Sequence, residues 1–314
     1  MNENALKIVQ DVIDNSEQLG CSVIDHKNGA TIIDAGIEAT GGTEVGRLIG
    51  EICLGGLGAI RVHKTMIDDI ELPAAIVSVR HSKIATLGSQ YAGWSLKVDD
   101  YFAMASGPAR ALASIESKLF EELQYKDDAT VGVIILETRN MPSENVTQHI
   151  ADKCGISPSD LYCLVAPTAS EAGSVQIAAR IVEVGVHKLH ALGFDPEKIG
   201  VGHGVAPIAP VAESDNKAMG VTNDCILYGG RTYIFVRPSE EDDLASLAER
   251  VPSSTSEQYG QPFYKLFKSF KFDFFKVDPL LFSPAEITIN NIDTGEVHKA
   301  GKLNPDVLKQ SLGY

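Results

Sequence analysis

Hydrophobic and polar positions along this chain follow two different periods, which predict a mixture of helices and strands. Residues 4–16 carry apolar side chains at the spacing of an amphipathic helix. Residues 22–25 and 30–34 are short apolar runs on either side of Asn28-Gly29, a pair that tolerates positive φ and predicts a tight turn. The N-terminal part of the chain is therefore expected to form a helix followed by a β-hairpin.

The same two periods continue to the end of the chain. They predict buried strands at 74–79, 131–136 and 161–165, helices that begin at Ser106 and Ser143, and a final hairpin over 286–299. Strands and helices alternate without regular βαβ spacing, which favours an α+β (mixed α/β) fold over a doubly wound sheet. A length of 314 residues suits two domains. We expect one domain over 86–254 and a second, discontinuous domain from 1–85 and 255–314.

A glycine-rich segment, residues 41–58, follows the predicted hairpin. Glycine permits close approach of the backbone, so Gly41 and Gly42 are candidate contacts for a ligand. The alternative is that the glycines let structural elements pack tightly. The segment does not match Gly-x-x-x-x-Gly-Lys-[Ser/Thr], and it lacks the strand and helix context of a dinucleotide fingerprint, so we expect no nucleotide site here.

The most informative segment is a predicted helix over residues 171–190. Arg180, His187 and His190 all fall within about 60° of Glu183 around this helix, whereas most other positions are small or apolar. A solvated helix face would carry many charges, so an isolated polar stripe indicates the lining of a cleft. Arg180 and Glu183 are the candidate catalytic residues.

Two other interpretations of this stripe are open. An Arg and a Glu one turn apart on a helix often form a surface ion pair worth about 0.3 kcal/mol. Glu183, His187 and His190 could instead ligate a divalent metal in a hydrolase, because Glu-x-x-x-His-x-x-His places three ligands on one face. The familiar zinc motif has His first and a Glu base between the ligands, so we expect no metal.

The predicted helix that begins at Ser106 is a candidate anion site. Ser106 would cap the helix, and Pro108 would lie in its first turn. Free backbone N–H groups at such a start suit an anion, with Arg110 one turn further along. Ser106, Gly107 and Arg110 are therefore candidate substrate-binding residues, and an ordinary capped helix is the alternative.

Two segments predicted to be loops add further candidates. His203 lies between glycines, where the backbone can approach a ligand and the ring is not covered by its neighbours. Asn223 and Asp224 would supply a donor and acceptors from a nearby loop. All three are candidate substrate contacts, and a structural role is the alternative for a single His.

Charge and cysteine content narrow the possible functions. A net charge of −15 at pH 7 would repel nucleic acid and an anionic membrane, so neither is expected as a partner. No secretory signal is visible, and no apolar run approaches the roughly 20 residues that span a bilayer. Five cysteines without a Cys-x-x-Cys pair argue against a disulfide framework and a structural zinc site. We expect a cytoplasmic protein.

Several motifs together resemble the methenyltetrahydromethanopterin cyclohydrolase family. They are the Phe- and Lys-rich block from Phe263 to Glu286, Gly36-Ile-Glu-Ala-Thr-Gly-Gly, Glu51-Ile-Cys-Leu-Gly-Gly-Leu and Arg180-x-x-Glu183. The resemblance covers essentially the whole chain, and the C-terminal block is its most specific part. From its composition we expect that block to form core together with solvated lysine stems.

The resemblance implies reversible hydrolysis of N5,N10-methenyltetrahydromethanopterin to N5-formyltetrahydromethanopterin, in the one-carbon metabolism of methanogenesis. It also implies a pterin cleft between two domains, no metal or bound cofactor, and a homotrimer. The catalytic Arg and Glu of the family match Arg180 and Glu183. We expect Glu183 to position and deprotonate water and Arg180 to orient it. A metal-dependent hydrolase and a non-catalytic carrier-binding protein are the alternative classes.

Overall fold

The computed structural model describes residues 1–273 and 276–314. Phe274 and Phe275, which belong to the Phe- and Lys-rich block, lie outside the described residues. The helices are α1 (Asn2–Asp14), α2 (Thr43–Cys53), α3 (Ser82–Ala85), α4 (Ala109–Ala113), α5 (Ser117–Glu122), α6 (Glu144–Cys154), α7 (Glu171–Ala178), α8 (Ile181–Ala191), α9 (Asp215–Gly229), α10 (Leu244–Arg250), α11 (Phe263–Ser269) and α12 (Pro305–Leu312).

The strands fall between these helices along the chain. They are β1 (Ser22–Asp25), β2 (Thr31–Asp34), β3 (Gly58–Ile67), β4 (Ile70–Val79), β5 (Trp94–Val98), β6 (Tyr101–Ser106), β7 (Gly132–Glu137), β8 (Leu161–Val165), β9 (Ile199–Pro207), β10 (Arg231–Val236), β11 (Glu286–Asn291) and β12 (Val297–Gly301). The mixture of helices and strands confirms the α+β expectation. No helix in the described part of the chain is long and apolar enough to cross a membrane.

The chain forms two compact units. The first contains Met1–Ala59 and Ile84–Gln176, and the second contains Ile60–Lys83 and Ile177–Tyr314. This division differs from the predicted one, which joined 1–85 to 255–314. The difference arises because β4 pairs with β9, more than a hundred residues later, and so carries β3 and β4 into the second unit.

The first unit is built on a mixed sheet. Within the described residues its strand order is β1-β2-β8-β7-β6-β5, in which β2, β8 and β7 are parallel. Successive strand residues point to opposite faces, so Ile33 and Leu164 pack with α1 and α2, whereas Ile32 and Cys163 pack with α6. The sheet therefore separates two apolar clusters, each covered by helices.

The second unit is built on another mixed sheet. In the part of the chain that the structure describes, its order is β12-β11-β10-β9-β4-β3, in which β10 and β11 are parallel. Helix α8 packs on β4, β9 and β10, and α10 packs on β11 and β12. Helices α9, α11 and α12 share a cluster with Ile67 and Leu72, to which the described aromatic residues Phe263 and Phe267 also belong.

Predictions that rest on local pattern are confirmed. Helix α1 and the β1–β2 hairpin lie where the periodicity placed them, and β7 and β8 agree with the predicted buried strands to within one residue. The predicted cap of α6 is also correct, because Ser143 Oγ accepts a hydrogen bond from the N–H of Val146 at 3.4 Å. The final hairpin is formed by β11 and β12.

Candidate active site

Arg180 and Glu183 lie at the start of α8. The prediction of one helix over 171–190 is wrong, because the helix is interrupted between α7 and α8. Arg180 precedes the first turn with ψ of 1°, and its carbonyl accepts from the N–H of Val184 at 3.0 Å. Glu183 therefore lies in the first turn of α8, where the helix dipole favours a carboxylate.

Both side chains are removed from solvent. Arg180 is 9% exposed and Glu183 is 5% exposed, so the interpretation of the stripe as a solvated surface ion pair is wrong. Burying charged groups costs free energy that only close polar partners offset. A buried Arg and a buried Glu three residues apart therefore need an explanation beyond the weak attraction of surface charges.

Helix α8 is seated unusually close to its sheet. A Cβ added to Gly202 would lie 2.5 Å from Val182 Cγ1, and one added to Gly204 would lie 2.6 Å from Ile181 Cγ2. The hydroxyl of Thr232 on β10 donates to the carbonyl of Ile181 at 2.9 Å. These contacts fix the first turn of α8, and with it the backbone of Glu183.

The other end of α8 is fixed by a buried lysine. Lys188 is 2% exposed, and its ammonium donates to the carbonyl of Leu280 at 2.5 Å and to Thr255 Oγ1 at 3.4 Å. Burial lowers the pKa of Lys188. Lys188 thus connects α8 to two separate segments of the second unit.

His187 lies one turn after Glu183 and is half-buried. Burial lowers its pKa to about 4, with smaller contributions from His190 and Lys188. The ring is therefore neutral at pH 7. In the described parts of the chain no group of three or more His, Cys, Asp or Glu side chains is arranged to hold a metal ion, so the geometry does not support the alternative of Glu183, His187 and His190 as ligands.

His203 lies in a strand, and its predicted loop is wrong. It belongs to β9, where alternate residues face opposite sides of the sheet. Gly202 and Gly204 face α8, whereas His203 is exposed and its Nδ1 is 2.6 Å from Ser78 Oγ on β4. The glycines that suggested a loop are required instead by the close approach of α8.

Asn223 and Asp224 also lie in regular structure, within α9, so their predicted loop is wrong. Asn223 donates from its amide to the carbonyl of Met219 at 2.8 Å. Asp224 is fully buried and accepts from the N–H of Phe263 at 2.9 Å and from Ser311 Oγ at 2.5 Å. Asp224 thus joins α9 to α11 and α12, and its contact with substrate stays a prediction.

Gly41 and Gly42 lie in the first unit, directly before α2. Gly41 has φ of +61°, and a Cβ there would lie 2.2 Å from the carbonyl oxygen of Ala35. A Cβ on Gly42 would meet nothing within 4 Å. Within α2, a Cβ on Gly46 would lie 2.8 Å from the carbonyl oxygen of Ala172. Gly41 and Gly46 therefore serve tight packing, and Gly42 leaves open space beside its backbone.

The predicted Ser cap at Ser106 is wrong. Ser106 is the last residue of β6, and its buried hydroxyl is 3.1 Å from Cys53 Sγ. Gly107 has φ of +101°, and a Cβ there would lie 2.7 Å from Ile135 Cδ1. Glycine is therefore required where the chain turns from β6 towards the short helix α4.

Arg110 has a structural role in the first unit. It is fully buried, and its guanidinium donates to the carbonyls of Leu87 and Ser89 at 3.2 and 3.1 Å and to Glu116 Oε1 at 2.5 Å. The ring of Tyr91 also lies beside it, with its centroid 5.3 Å from Cζ. These internal partners occupy the guanidinium of Arg110, and binding of an anion there stays a prediction.

One polar group was missed by sequence reasoning. Glu137 ends β7, and its two carboxylate oxygens accept from Thr168 Oγ1 at 2.5 Å and from Gln176 Nε2 at 3.4 Å. The predicted strand ended at 136, one residue before Glu137. The sequence does contain a signal for Glu137. A carboxylate directly follows a predicted buried strand, and a threonine lies three residues after the next predicted strand.

A buried carboxylate at a helix start can accept and return a proton, so the position of Glu183 suits general acid–base chemistry. Comparison with known proteins identifies the family of this chain. The profile of the family described as Cyclohydrolase (MCH) matches residues 1–312. The chain therefore belongs to this family, and the resemblance seen in its motifs is confirmed.

Relatives of the same kind align over the whole chain. The methenyltetrahydromethanopterin cyclohydrolases of Methanococcus maripaludis (strain C5), Methanocaldococcus jannaschii and Methanothermobacter marburgensis are 47%, 46% and 46% identical to it. Each alignment covers 100% of this chain, and 98%, 98% and 99% of the respective relative.

Proposed function

We propose that this chain catalyses the reversible hydrolysis of N5,N10-methenyltetrahydromethanopterin to N5-formyltetrahydromethanopterin. Three relatives that align over 98–99% of their length carry the name of this activity. Within the site, the supporting observation is the buried Glu183 in the first turn of α8, three residues after the buried Arg180.

The first step is attack of water on the methenyl carbon. This carbon belongs to a cationic amidinium, so an ionised carboxylate nearby stabilises its charge, by at most about 4 kcal/mol at 4 Å and an effective dielectric near 20. Glu183 accepts a proton from the water as the water oxygen bonds to the carbon. Proton transfer of this kind contributes about 10²–10⁴ in rate.

The second step opens the neutral carbinolamine that the first step forms. The bond between the former methenyl carbon and N10 breaks, and Glu183 returns its proton to N10. The hydroxyl proton of the intermediate leaves to water as the formyl group forms. The cationic substrate and one water thus become a neutral product and one released proton. In the reverse reaction the carboxylate of Glu183 makes the same proton transfers in the opposite order.

Arg180 acts through Glu183. Its guanidinium is a planar, rigid set of donors that can hold a carboxylate and a water in one orientation. Direct contact between Arg180 and the cationic carbon would instead oppose binding. The neutral ring of His187 adds no further positive charge to the same stripe at pH 7. We therefore assign Arg180 as a positioning residue and Glu183 as the catalytic residue.

The carrier is the substrate in this proposal, and the chemistry needs no other cofactor and no metal. We further propose a cytoplasmic protein, which is supported by five cysteines that form no disulfide within the described residues. We also propose a homotrimer, which the resemblance implies. Light scattering tests it, because a trimer would have three times the 33.7 kDa mass of one chain.

The net charge of −15 argues against nucleic acid and anionic membranes as partners.

Loss of the methenyl absorbance tests the activity and the role of Glu183 together. Purified wild type and Glu183→Gln are added to methenyltetrahydromethanopterin, with and without a chelator. We expect wild type to remove the chromophore at the same rate in both conditions, and Glu183→Gln to retain binding and lose most of the rate. No turnover by folded wild type would reject this substrate. Loss of turnover with the chelator would favour the alternative of a metal-dependent hydrolase.

A further inference from the structure

A threonine hydroxyl is buried beneath the helix that carries Glu183. Thr232 lies in β10, is 3% exposed, and shares a face of the sheet with Ile234, which is fully buried. Its partner in the register of β9 and β10 is Gly204, which contributes no side chain to this face. A hydroxyl in such an apolar contact costs free energy unless it makes a hydrogen bond. Valine has a similar shape, so the hydroxyl of Thr232 requires an explanation.

Thr232 contacts the start of α8 at two points. Its hydroxyl donates to the carbonyl of Ile181 at 2.9 Å. A Cβ added to Gly185 would lie 2.9 Å from Thr232 Cγ2, so the absence of a side chain at Gly185 lets the helix lie directly on this methyl group. The hydrogen bond holds the helix towards the sheet, and the methyl group limits how closely the helix can approach. Together the two contacts fix the distance between α8 and β10.

Glu183 lies between these two contacts in sequence and on the opposite side of the helix. At about 100° per residue, residues 181 and 185 lie about 40° apart around the helix axis, and residue 183 lies about 160° from each. Ile181 and Gly185 face the sheet, because both contact Thr232. A shift of α8 away from the sheet would therefore move Glu183 along the direction in which its side chain leaves the helix.

We propose that Thr232 is a positioning residue, which sets how far the Glu183 carboxylate reaches towards the methenyl carbon. The inference rests on the proposed function. It explains why a hydroxyl is buried at this point, because a hydrogen bond is confined to a narrow range of distance and angle. Proton transfer depends on the reach of Glu183, since donor and acceptor must approach to about 2.6–3.2 Å. In this role Thr232 acts only through Glu183.

Removal of the hydroxyl gives the first test. Thr232→Val keeps the shape of the side chain, and Thr232→Ser keeps the hydroxyl. Thr288→Val is the matched control on β11, because Thr288 pairs with Tyr233 and so lies on the other face of the sheet. We expect kcat and kcat/KM of Thr232→Val to fall by the same factor, about 10-fold, as for an interaction made only in the transition state. Thr232→Ser and Thr288→Val should stay close to wild type.

The kinetic pattern separates positioning from structural support. A residue that only stabilises the fold would lower the melting temperature of Thr232→Val and leave kcat unchanged at temperatures well below that melting point. Such a result would overturn the proposal, and so would a kcat of Thr232→Ser as low as that of Thr232→Val. Absence of turnover by folded wild type would instead count against the proposed function.

Gly185→Ala tests the second contact and does not depend on the stability of Thr232→Val. The added Cβ would lie 2.9 Å from Thr232 Cγ2, so it should push α8 away from the sheet and lower kcat by about 10-fold. Thr232→Ser removes that methyl group and leaves the hydroxyl at 3.3 Å. The double variant should therefore recover most of the lost kcat. Equal losses from Gly185→Ala in the two backgrounds would overturn the proposal.

A crystal structure of Thr232→Val gives a measurement that needs no turnover. After superposition on β9 and β10 of wild type, Cα of Glu183 should lie farther from the sheet, whereas Thr288→Val should leave it in place. An unchanged position of Glu183 in Thr232→Val would overturn the proposal, whatever the substrate of the enzyme.

Discussion

At the scale of single residues, we expect the shape of Arg180 to matter more than its charge. The substrate of the proposed reaction is a cation, so a positive charge beside it would oppose binding, and the role we propose for Arg180 is to act through Glu183. Arg180 is 9% exposed and directly precedes α8, where its backbone is fixed by hydrogen bonds on both sides of the helix break. We propose that Arg180 acts by holding the Glu183 carboxylate in one orientation.

Replacing Arg180 should therefore reduce the rate even when the charge is kept. We expect both Arg180→Ala and Arg180→Lys to lower kcat by about 10- to 100-fold, because small errors in the position of a catalytic group cost this much. Arg47→Lys, on the outside of α2 beside Glu44 and Glu51, is the matched control and should leave kcat unchanged. Initial rates at saturating substrate measure kcat for each variant. Full activity of Arg180→Lys would show that the positive charge alone suffices.

Asp224 makes a separate prediction about stability and pH. Burial raises its pKa to about 7, from 3.8, although its bonds to Ser311 and Phe263 oppose the shift. Between these values the folded chain holds a proton that the unfolded chain has released, so the free energy of unfolding falls as pH rises through this window. Well above pH 7 the stabilisation that comes from this extra bound proton is lost completely.

Asp224→Asn should remove this dependence. The amide resembles the protonated acid, since its oxygen can accept from the N–H of Phe263 while its nitrogen donates to Ser311 Oγ. Relative to this variant, we expect wild type to lose up to about 4 kcal/mol of unfolding free energy from pH 4 to pH 8. Urea unfolding at several pH values measures the difference, and a constant difference would contradict the shifted pKa.

At the scale of secondary structure elements, the contact between α8 and β9 determines where Glu183 lies. Gly202 and Gly204 occupy alternate positions on β9, so both face α8 and both allow its first turn to approach. The position of Glu183 therefore depends on two residues that carry no side chain. Strand β9 allows this close approach because Gly202 and Gly204 lie on the face towards α8, whereas His203 lies on the other face.

Adding one methyl group to that contact should disturb the site. Gly204→Ala would place a Cβ 2.6 Å from Ile181 Cγ2, two residues before Glu183, and overpacking of this kind costs about 1–3 kcal/mol. We expect a lower melting temperature and a lower kcat in the folded variant. Gly200→Ala is the control on the same strand, because its nearest contact is 3.3 Å. Equal effects of the two changes would show that α8 is not positioned by Gly204.

The limits of sequence prediction follow from this contact. Helices and hairpins such as α1 and β1–β2 were predicted correctly because their signals lie within a few residues. Arg180 and Glu183 were singled out for the same reason, since three-residue spacing is local, and their catalytic roles stay a prediction. The strand containing His203 and the helix containing Asp224 were missed because Gly202, Gly204 and Asp224 are explained by partners elsewhere in the chain, which a single sequence does not reveal.

At the scale of the whole molecule, the net charge of −15 is the dominant feature. Like charges distributed over a compact chain repel one another, and this self-repulsion destabilises the folded state. Individual ion pairs such as Lys64 with Glu71, at 2.6 Å between exposed side chains, contribute little in return. The balance between repulsion and local pairing can be measured with salt, because the two respond in opposite directions.

Added salt should stabilise the folded chain. Between about 0.1 M and about 1 M KCl the Debye length falls from about 10 Å to about 3 Å, so repulsion between separated charges is screened. We expect the melting temperature to rise over this range. The double variant Glu240→Gln and Glu241→Gln, which removes two exposed charges before α10, should melt higher than wild type at low salt and respond less to KCl. A melting temperature that falls with salt would show that local ion pairs outweigh the repulsion of the whole molecule.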